Sequence, residues 1–255
     1  MAKENKHPAI LLFLAAGLLA TGAWLMASFP IFIFFTLAPL FALTDRADNT
    51  SVVWEKMEWV LLALTIYFLV AHTFNFSFLI SSMVYAILFT MPFVGHVWVR
   101  QTLGSRAGKI TIVILWLAVE YILLKAGLVD SIFLSDALRL QPNWVRWNIH
   151  TGYLGASFWI LLTNLLVYQA LLSKNPFQWL WIATAVIVLG GPLVYSYLIN
   201  SSAITRKDMM NLYSEKSMIK DVVYLARGEL VVRTSAWLST LILLFTLVKS
   251  QTIKR

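Results

Sequence analysis

Long apolar runs separated by short polar breaks dominate the chain, at 8–27, 29–44, 59–74, 76–99, 109–129, 150–172, 177–199 and 230–248. A hydrocarbon core about 30 Å thick takes about 20 apolar residues per helix. Six runs meet that length, and the second and third are shorter. The runs are continuous, whereas barrel strands alternate over about ten residues. The pattern therefore predicts an all-α, polytopic integral membrane protein with about eight transmembrane helices. Pro39, Pro92 and Pro192 fall inside runs, where proline removes a backbone donor and kinks the helix. No internal repeat or low-complexity linker divides residues 1–255, which read as a single membrane domain.

The start, MAKENKHPAILLFLAAGLLATGAWLMASFP, has the basic end and apolar stretch of a secretory signal. Its apolar run is long for a signal and more spans follow, so the expectation is a retained first helix. Lys and Arg set the orientation. With a cytoplasmic N-terminus, Lys3, Lys6, Arg46, Lys56, Arg100, Arg106, Lys109, Lys174, Lys249, Lys254 and Arg255 share the inner side, while the short outer loops hold Arg139 and Arg146. Both termini are then cytoplasmic. The outer side receives residues 130–149 and a connection over 200–229. Within the latter, Met209, Leu212, Tyr213, Ile219, Val222 and Val223 recur at roughly helical spacing, which predicts an amphipathic helix on the outer leaflet.

Composition agrees, with 60% hydrophobic and 13% charged residues, against about 45–50% and 25% in soluble domains. The net charge of +8 flanks apolar runs and has no compact basic domain to sit on. Anionic lipid head groups account for it, and nucleic acid is not an expected partner. The absence of cysteine removes thiolate metal sites and any thiol nucleophile. His7, His72, His96 and His150 lack metal-site spacing, so neither metal nor cofactor is expected. No phosphate loop or nucleophile elbow is present.

Glu120 lies near mid-depth of the fifth run, where an ionised carboxylate costs at least roughly 2.5–3.5 kcal/mol. Two readings stand: a proton acceptor or head-group contact, and a hydrogen-bonded carboxyl tying two helices together. Lys125, five positions on, lies about 140° further round the helix, so the two do not share a face. Trp144 and Trp147 read as interface anchors or lipid contacts, Arg146 suits a lipid phosphate, and His150 opens the sixth run beside them. Gly152, Gly155 and Ala156 give that run a small-residue edge for close helix packing or a lipid-tail groove.

The segment NWVRWNIHTGYLGASFWILLTN at 143–164 resembles part of the membrane domain of bacterial apolipoprotein N-acyltransferase, most closely the form of Bacteroidota. LAPLFAL at 37–43 is similar to the family's second-helix motif, WLAVEY at 116–121 to its fifth and YLGASFWILLTN at 153–164 to its sixth. VVYLARGELVVRTSAWLSTLILLF at 222–245 looks like the entry to its last helix, with Gly228 and Glu229 as the glycine and acidic residue before that span. The resemblance implies eight membrane helices in the bacterial inner membrane. In the family, a nitrilase-type domain between the seventh and eighth helices carries a Glu, Lys and Cys that transfer an acyl chain from phospholipid to a lipoprotein amine. Here about 30 residues replace that domain and there is no cysteine, so no catalytic residue carries over. The family's Trp-Pro-Trp type segment is also replaced, by VDSIFLSDAL.

The expected function is accordingly a bundle that binds phospholipid or lipoprotein acyl chains and assists lipoprotein maturation, beside a separate catalytic partner. Glu120, Trp144, Arg146, Trp147 and His150 are its candidate lipid-binding residues. Two alternatives stand beside it: an acyltransferase with a non-cysteine mechanism, an oxygen nucleophile or direct transfer, using Glu120 or His150 as base and Arg146 on phosphate, and a lipid or solute carrier.

Overall fold

The computed structural model describes residues 9–26, 28–45, 50–128, 132–173, 178–209 and 230–253. Its regular elements are helices, with no strand among the described residues. They are α1 (Ala9–Leu25), α2 (Ile33–Thr36), α3 (Ala38–Asp45), α4 (Thr50–Ala71), α5 (Leu79–Leu103), α6 (Ser105–Lys125), α7 (Asn148–Thr151), α8 (Gly155–Val167), α9 (Trp179–Leu198) and α10 (Leu230–Ile253). Five helical stretches are long and apolar enough to cross a membrane: Phe76–Leu103, Ala107–Lys125, Gly155–Leu172, Trp179–Leu198 and Val232–Thr252. α1 and the α2–α3 pair are apolar but shorter. α4 has 22 residues, and Glu55, Lys56 and Glu58 charge its first half.

Helices joined by short turns pack side by side. α5 lies against α4 and α6, α10 against α6 and α5, α1 against α4, and α8 against α9 and α2. Gly104, at φ +99°, turns α5 into α6. Two further glycines let these helices touch: a Cβ on Gly108 would stand 2.7 Å from that of Arg100, and one on Gly95 2.5 Å from Leu115 Cδ1. Aromatic rings fill the centre, with Phe89 4.6 Å from Trp116 and Phe34 4.4 Å from Trp159. α9 and α10 sit at the periphery and expose Trp179, Leu180, Ile187, Trp237, Leu241 and Phe245, the residue types expected against hydrocarbon.

The predicted second span, 29–44, is a broken helix. Pro39 cannot donate within a ladder, and the chain leaves regular helix at Leu37. Asn164 of α8 occupies the gap. Its Nδ2 donates to Ile33 O at 2.9 Å, and its Oδ1 accepts from Leu37 N at 2.7 Å and Ala38 N at 3.1 Å. One carboxamide thus stands where the Leu37-to-Ile33 helical bond would be, and a further bond from Nδ2 to Ile160 O at 2.9 Å fixes its rotamer. The sixth span also differs from its predicted limits: 148–151 forms the separate turn α7, and the long helix starts at Gly155.

α8 ends in a π-helical turn, Tyr168–Leu172, that faces a polar network at the end of the bundle formed by Asp45 and Gly104. The Tyr168 hydroxyl donates to Asp45, which also accepts from Arg100 Nη1 at 3.1 Å. Lys109 Nζ donates to Gln169 Oε1 at 3.2 Å, and His96 Nδ1 pairs with Gly108 O at 2.7 Å. These contacts fasten α3, α5 and α6 to the end of α8.

Asn164→Ala removes the partners of two N–H groups and one carbonyl in the α2–α3 break. At about 1–3 kcal/mol per stranded group, the loss is on the order of 3 kcal/mol or more. A thermal melt of the purified protein should fall by roughly 6–12 °C; an unchanged melting temperature would show that the break is satisfied some other way.

Candidate functional site

Between α6 and α8 the chain turns back into the bundle instead of staying in an outer loop. Phe133, Leu134, Ser135, Ala137 and Leu138 are buried there, in a 3₁₀ turn at Leu134–Leu138. A buried turn must find partners for its N–H groups, and side chains supply them. Glu120 Oε1 accepts from Leu134 N at 2.9 Å and from Trp116 Nε1 at 3.1 Å. Ser157 Oγ accepts from Ser135 N at 3.1 Å, and Asp136 Oδ2 from Phe133 N at 2.8 Å.

This turn forms one wall of a cavity of about 760 Å³, within the roughly 300–1,000 Å³ of small-molecule sites. Trp24, His72 and Phe78 line another side, and Ala203 to Lys207, beyond α9, line a third. Apolar wall comes from Trp24, Phe78, Ile132, Leu138, Val145 and Ile204. Polar wall comes from His72, Asp136, Arg139, Asn148, Tyr153, Arg206 and Lys207. Such a lining suits a molecule with an apolar body and a charged head.

The polar groups are held in place by specific contacts. The Tyr153 hydroxyl donates to Asp136 Oδ1, and Arg206 Nη1 lies 3.4 Å from Asp136 Oδ2. Arg206 also donates to Leu128 O at 2.7 Å and lies 4.5 Å over the Phe133 ring. Burial raises the Asp136 carboxyl above its ordinary range, against the lowering effect of its hydrogen bonds and of Arg206. Burial, then the Asp136 charge, raises Tyr153 well above the usual phenol range, so it stays a donor. Asn148 is buried and grips one residue twice: its Nδ2 donates to Ile204 O at 2.8 Å and its Oδ1 accepts from Ile204 N at 2.7 Å. His72 stacks on Phe78 at 4.7 Å, and its Nδ1 lies 2.8 Å from Phe68 O. A carbonyl only accepts, so Nδ1 carries the hydrogen. Thr73 and Phe74, which follow, both take left-handed backbone at φ +57° and +54° and close α4.

Of the residues singled out from the sequence, Ala156 lines the cavity and the others do not. Glu120 is fully buried behind the turn it ties to α6. Trp144 and Trp147 are buried against other rings, Phe29 at 5.5 Å and Trp159 at 5.8 Å, and Trp147 Nε1 donates to Trp144 O at 3.2 Å. The Arg146 guanidinium is held by Asn143 Oδ1 at 2.7 Å and Ile199 O at 3.4 Å. His150 is exposed beside Tyr195. Gly152 ends α7 at φ +76°, outside the α8 helix that contains Ala156. Gly155 admits the preceding turn: a Cβ there would stand 2.1 Å from Thr151 Oγ1. Most of the amphipathic stretch 205–226, with Gly228 and Glu229, lies outside the described residues.

His72, Asp136, Arg139, Asn148, Tyr153, Arg206 and Lys207 were not singled out as site residues by the sequence. The available signal was SDALRL at 135–140, where Asp136 and Arg139 stand three apart among apolar residues. Among the described residues no group of three His, Cys, Asp or Glu side chains is placed to hold a metal. No protein-family model, curated protein or solved structure matches this chain.

Two outcomes test this geometry. Gly155→Ala should lower the melting temperature, whereas Gly17→Ala, with open space at its Cβ, should leave it unchanged or raise it by up to roughly 4 °C, the equivalent of about 0.5–1 kcal/mol of helix preference; equal effects would remove the packing argument. For Asp136, the folded chain binds its proton more tightly than the unfolded chain does, so stability falls as pH rises from the ordinary aspartate range through the raised value. Chemical denaturation across that acidic window should show the slope in the wild type and not in Asp136→Asn.

Proposed function

We propose that this chain is a multi-pass protein of a bacterial inner membrane, related to the apolipoprotein N-acyltransferase membrane domain. It holds phospholipid or lipoprotein acyl chains and assists lipoprotein maturation beside a separate catalytic partner. The observation that carries the reading is the cavity, where apolar wall from Trp24, Phe78, Leu138 and Val145 meets Arg139 and Lys207. A lipid phosphate pairs with such cations, and a guanidinium fits its oxygens bidentately. The acyl chain would lie on the apolar wall, gaining about 0.8 kcal/mol per buried methylene.

Eight crossings fit the alternating path of α1, α2–α3, α4, α5, α6, α8, α9 and α10. With both termini cytoplasmic, as the Lys and Arg distribution favours, the cavity opens toward the outer leaflet, where lipoproteins are acylated in the resembled family. Two segments that carry the resemblance, 37–43 and 153–164, meet at Asn164. A role without autonomous catalysis follows from the lack of cysteine and from the positions of Glu120 and His150, neither of which lines the cavity. A base must come within about 3 Å of the proton it takes.

Native mass spectrometry of protein purified in mild detergent without added lipid tests this directly. The wild type should carry phospholipid, the Arg139→Ala/Lys207→Ala double variant should lose it, and Arg146→Ala should keep it. Purified protein that by itself transfers an acyl chain to a diacylated lipopeptide would overturn the non-catalytic reading, and a wild type free of lipid or lipopeptide would overturn the binding reading.

A further inference from the structure

Residues 203–209 are fastened against the cavity at several points. Asn148 clasps the backbone of Ile204 from both sides, and Met209 is buried at the far end. Between them Thr205 and Asp208 form a self-capped turn, with Asp208 Oδ2 accepting from Thr205 N at 2.8 Å and from its hydroxyl at 2.7 Å. That turn carries Arg206, whose guanidinium reaches Asp136. The first and last fastenings are a neutral amide clasp and apolar burial. The middle one is Arg206, which donates to Leu128 O at 2.7 Å and lies over the Phe133 ring, and whose ion pair with Asp136, at 3.4 Å, is longer than the 2.7–2.9 Å of a close charged hydrogen bond.

We infer that Arg206 is an exchangeable latch: the phosphate of a bound amphiphile takes the Nη1 side of its guanidinium from Asp136, while its bond to Leu128 O persists. This rests on the reading that the cavity binds a phosphate-headed amphiphile. Two features make the exchange cheap for the protein. Asp136 keeps the Tyr153 hydroxyl on Oδ1 and the Phe133 N–H on Oδ2, so releasing Arg206 does not strand a buried carboxylate. A phosphate offers the guanidinium two parallel hydrogen bonds in place of its one long contact to Asp136. Arg139 and Lys207 share the wall and draw an anion toward it. Asp136 is then a competitor of the ligand for Arg206, which sets the affinity of the cavity.

A double-mutant cycle on the full chain in detergent tests the latch, with dihexanoylphosphatidylglycerol and, separately, inorganic phosphate titrated by microscale thermophoresis. Asp136→Asn should tighten phospholipid binding about fivefold in the wild-type background and have no effect beside Arg206→Gln, a coupling that a residue with only a structural role would not produce. Equal tightening in both backgrounds would mean a general field effect and would overturn the latch, as would weaker binding in Asp136→Asn. If that variant fails to fold, Arg206→Lys, which keeps the charge and loses the fork, should bind phospholipid more weakly than wild type; unchanged binding would overturn the exchange. A wild type that binds inorganic phosphate with the expected coupling but ignores the phospholipid would retain the latch and overturn the lipid reading. Binding of neither probe would overturn both.

Discussion

Inside hydrocarbon a backbone N–H has no water to turn to, and at three places where the described chain leaves regular helix a buried side chain takes the place of the missing partner. Asn164 does this for the α2–α3 break, with both ends of its amide engaged. Glu120 and Ser157 do it for the turn at 134–138. Asn148 does it for the chain beyond α9. Each is a polar side chain buried beside the backbone group it serves. The irregular segments, and with them the cavity, depend on these few residues.

The cavity follows from that arrangement. A helix continuing past Lys125 would have filled this space with its own side chains. Turning the chain inward instead places Ser135, Asp136 and Leu138 on the wall of a cavity that Trp24 and His72 also line. Because the turn is anchored from behind by Glu120, its front face is free to present Asp136. Tyr153 and Arg206 then converge on that carboxylate from two other parts of the chain. A negatively charged group with three separate partners can lose one to a ligand and remain hydrogen-bonded, which a simple pair cannot do.

The opposite end of the bundle is built differently. There Asp45, Arg100, Tyr168, Lys109 and Gln169 connect four elements around a void of about 10 Å³. This end is closed and cross-linked, while the other is open and amphipathic. The asymmetry places the cross-linked network at Asp45 and the cavity at Asp136.

The sequence alone determined the helical class and most span positions, because a run of apolar residues has few ways to be stable other than as a helix in lipid. It also marked Pro39 and Glu120 as departures from a plain span, since a missing donor and a mid-span carboxylate are each costly wherever they fall. Tertiary structure decided what those departures do. Nothing local shows that Asn164 repairs the break at Leu37, 127 residues away, or that Glu120 faces a turn and not the cavity. The same holds for the site: Trp144, Arg146 and Trp147 stand out by residue type, yet they pack on neighbours, while His72, Asp136, Tyr153 and Arg206 are unremarkable in sequence. Residue type reports the cost of burial. Which groups meet across a cavity is fixed by how distant segments fold back, and that is a property of the packed bundle alone.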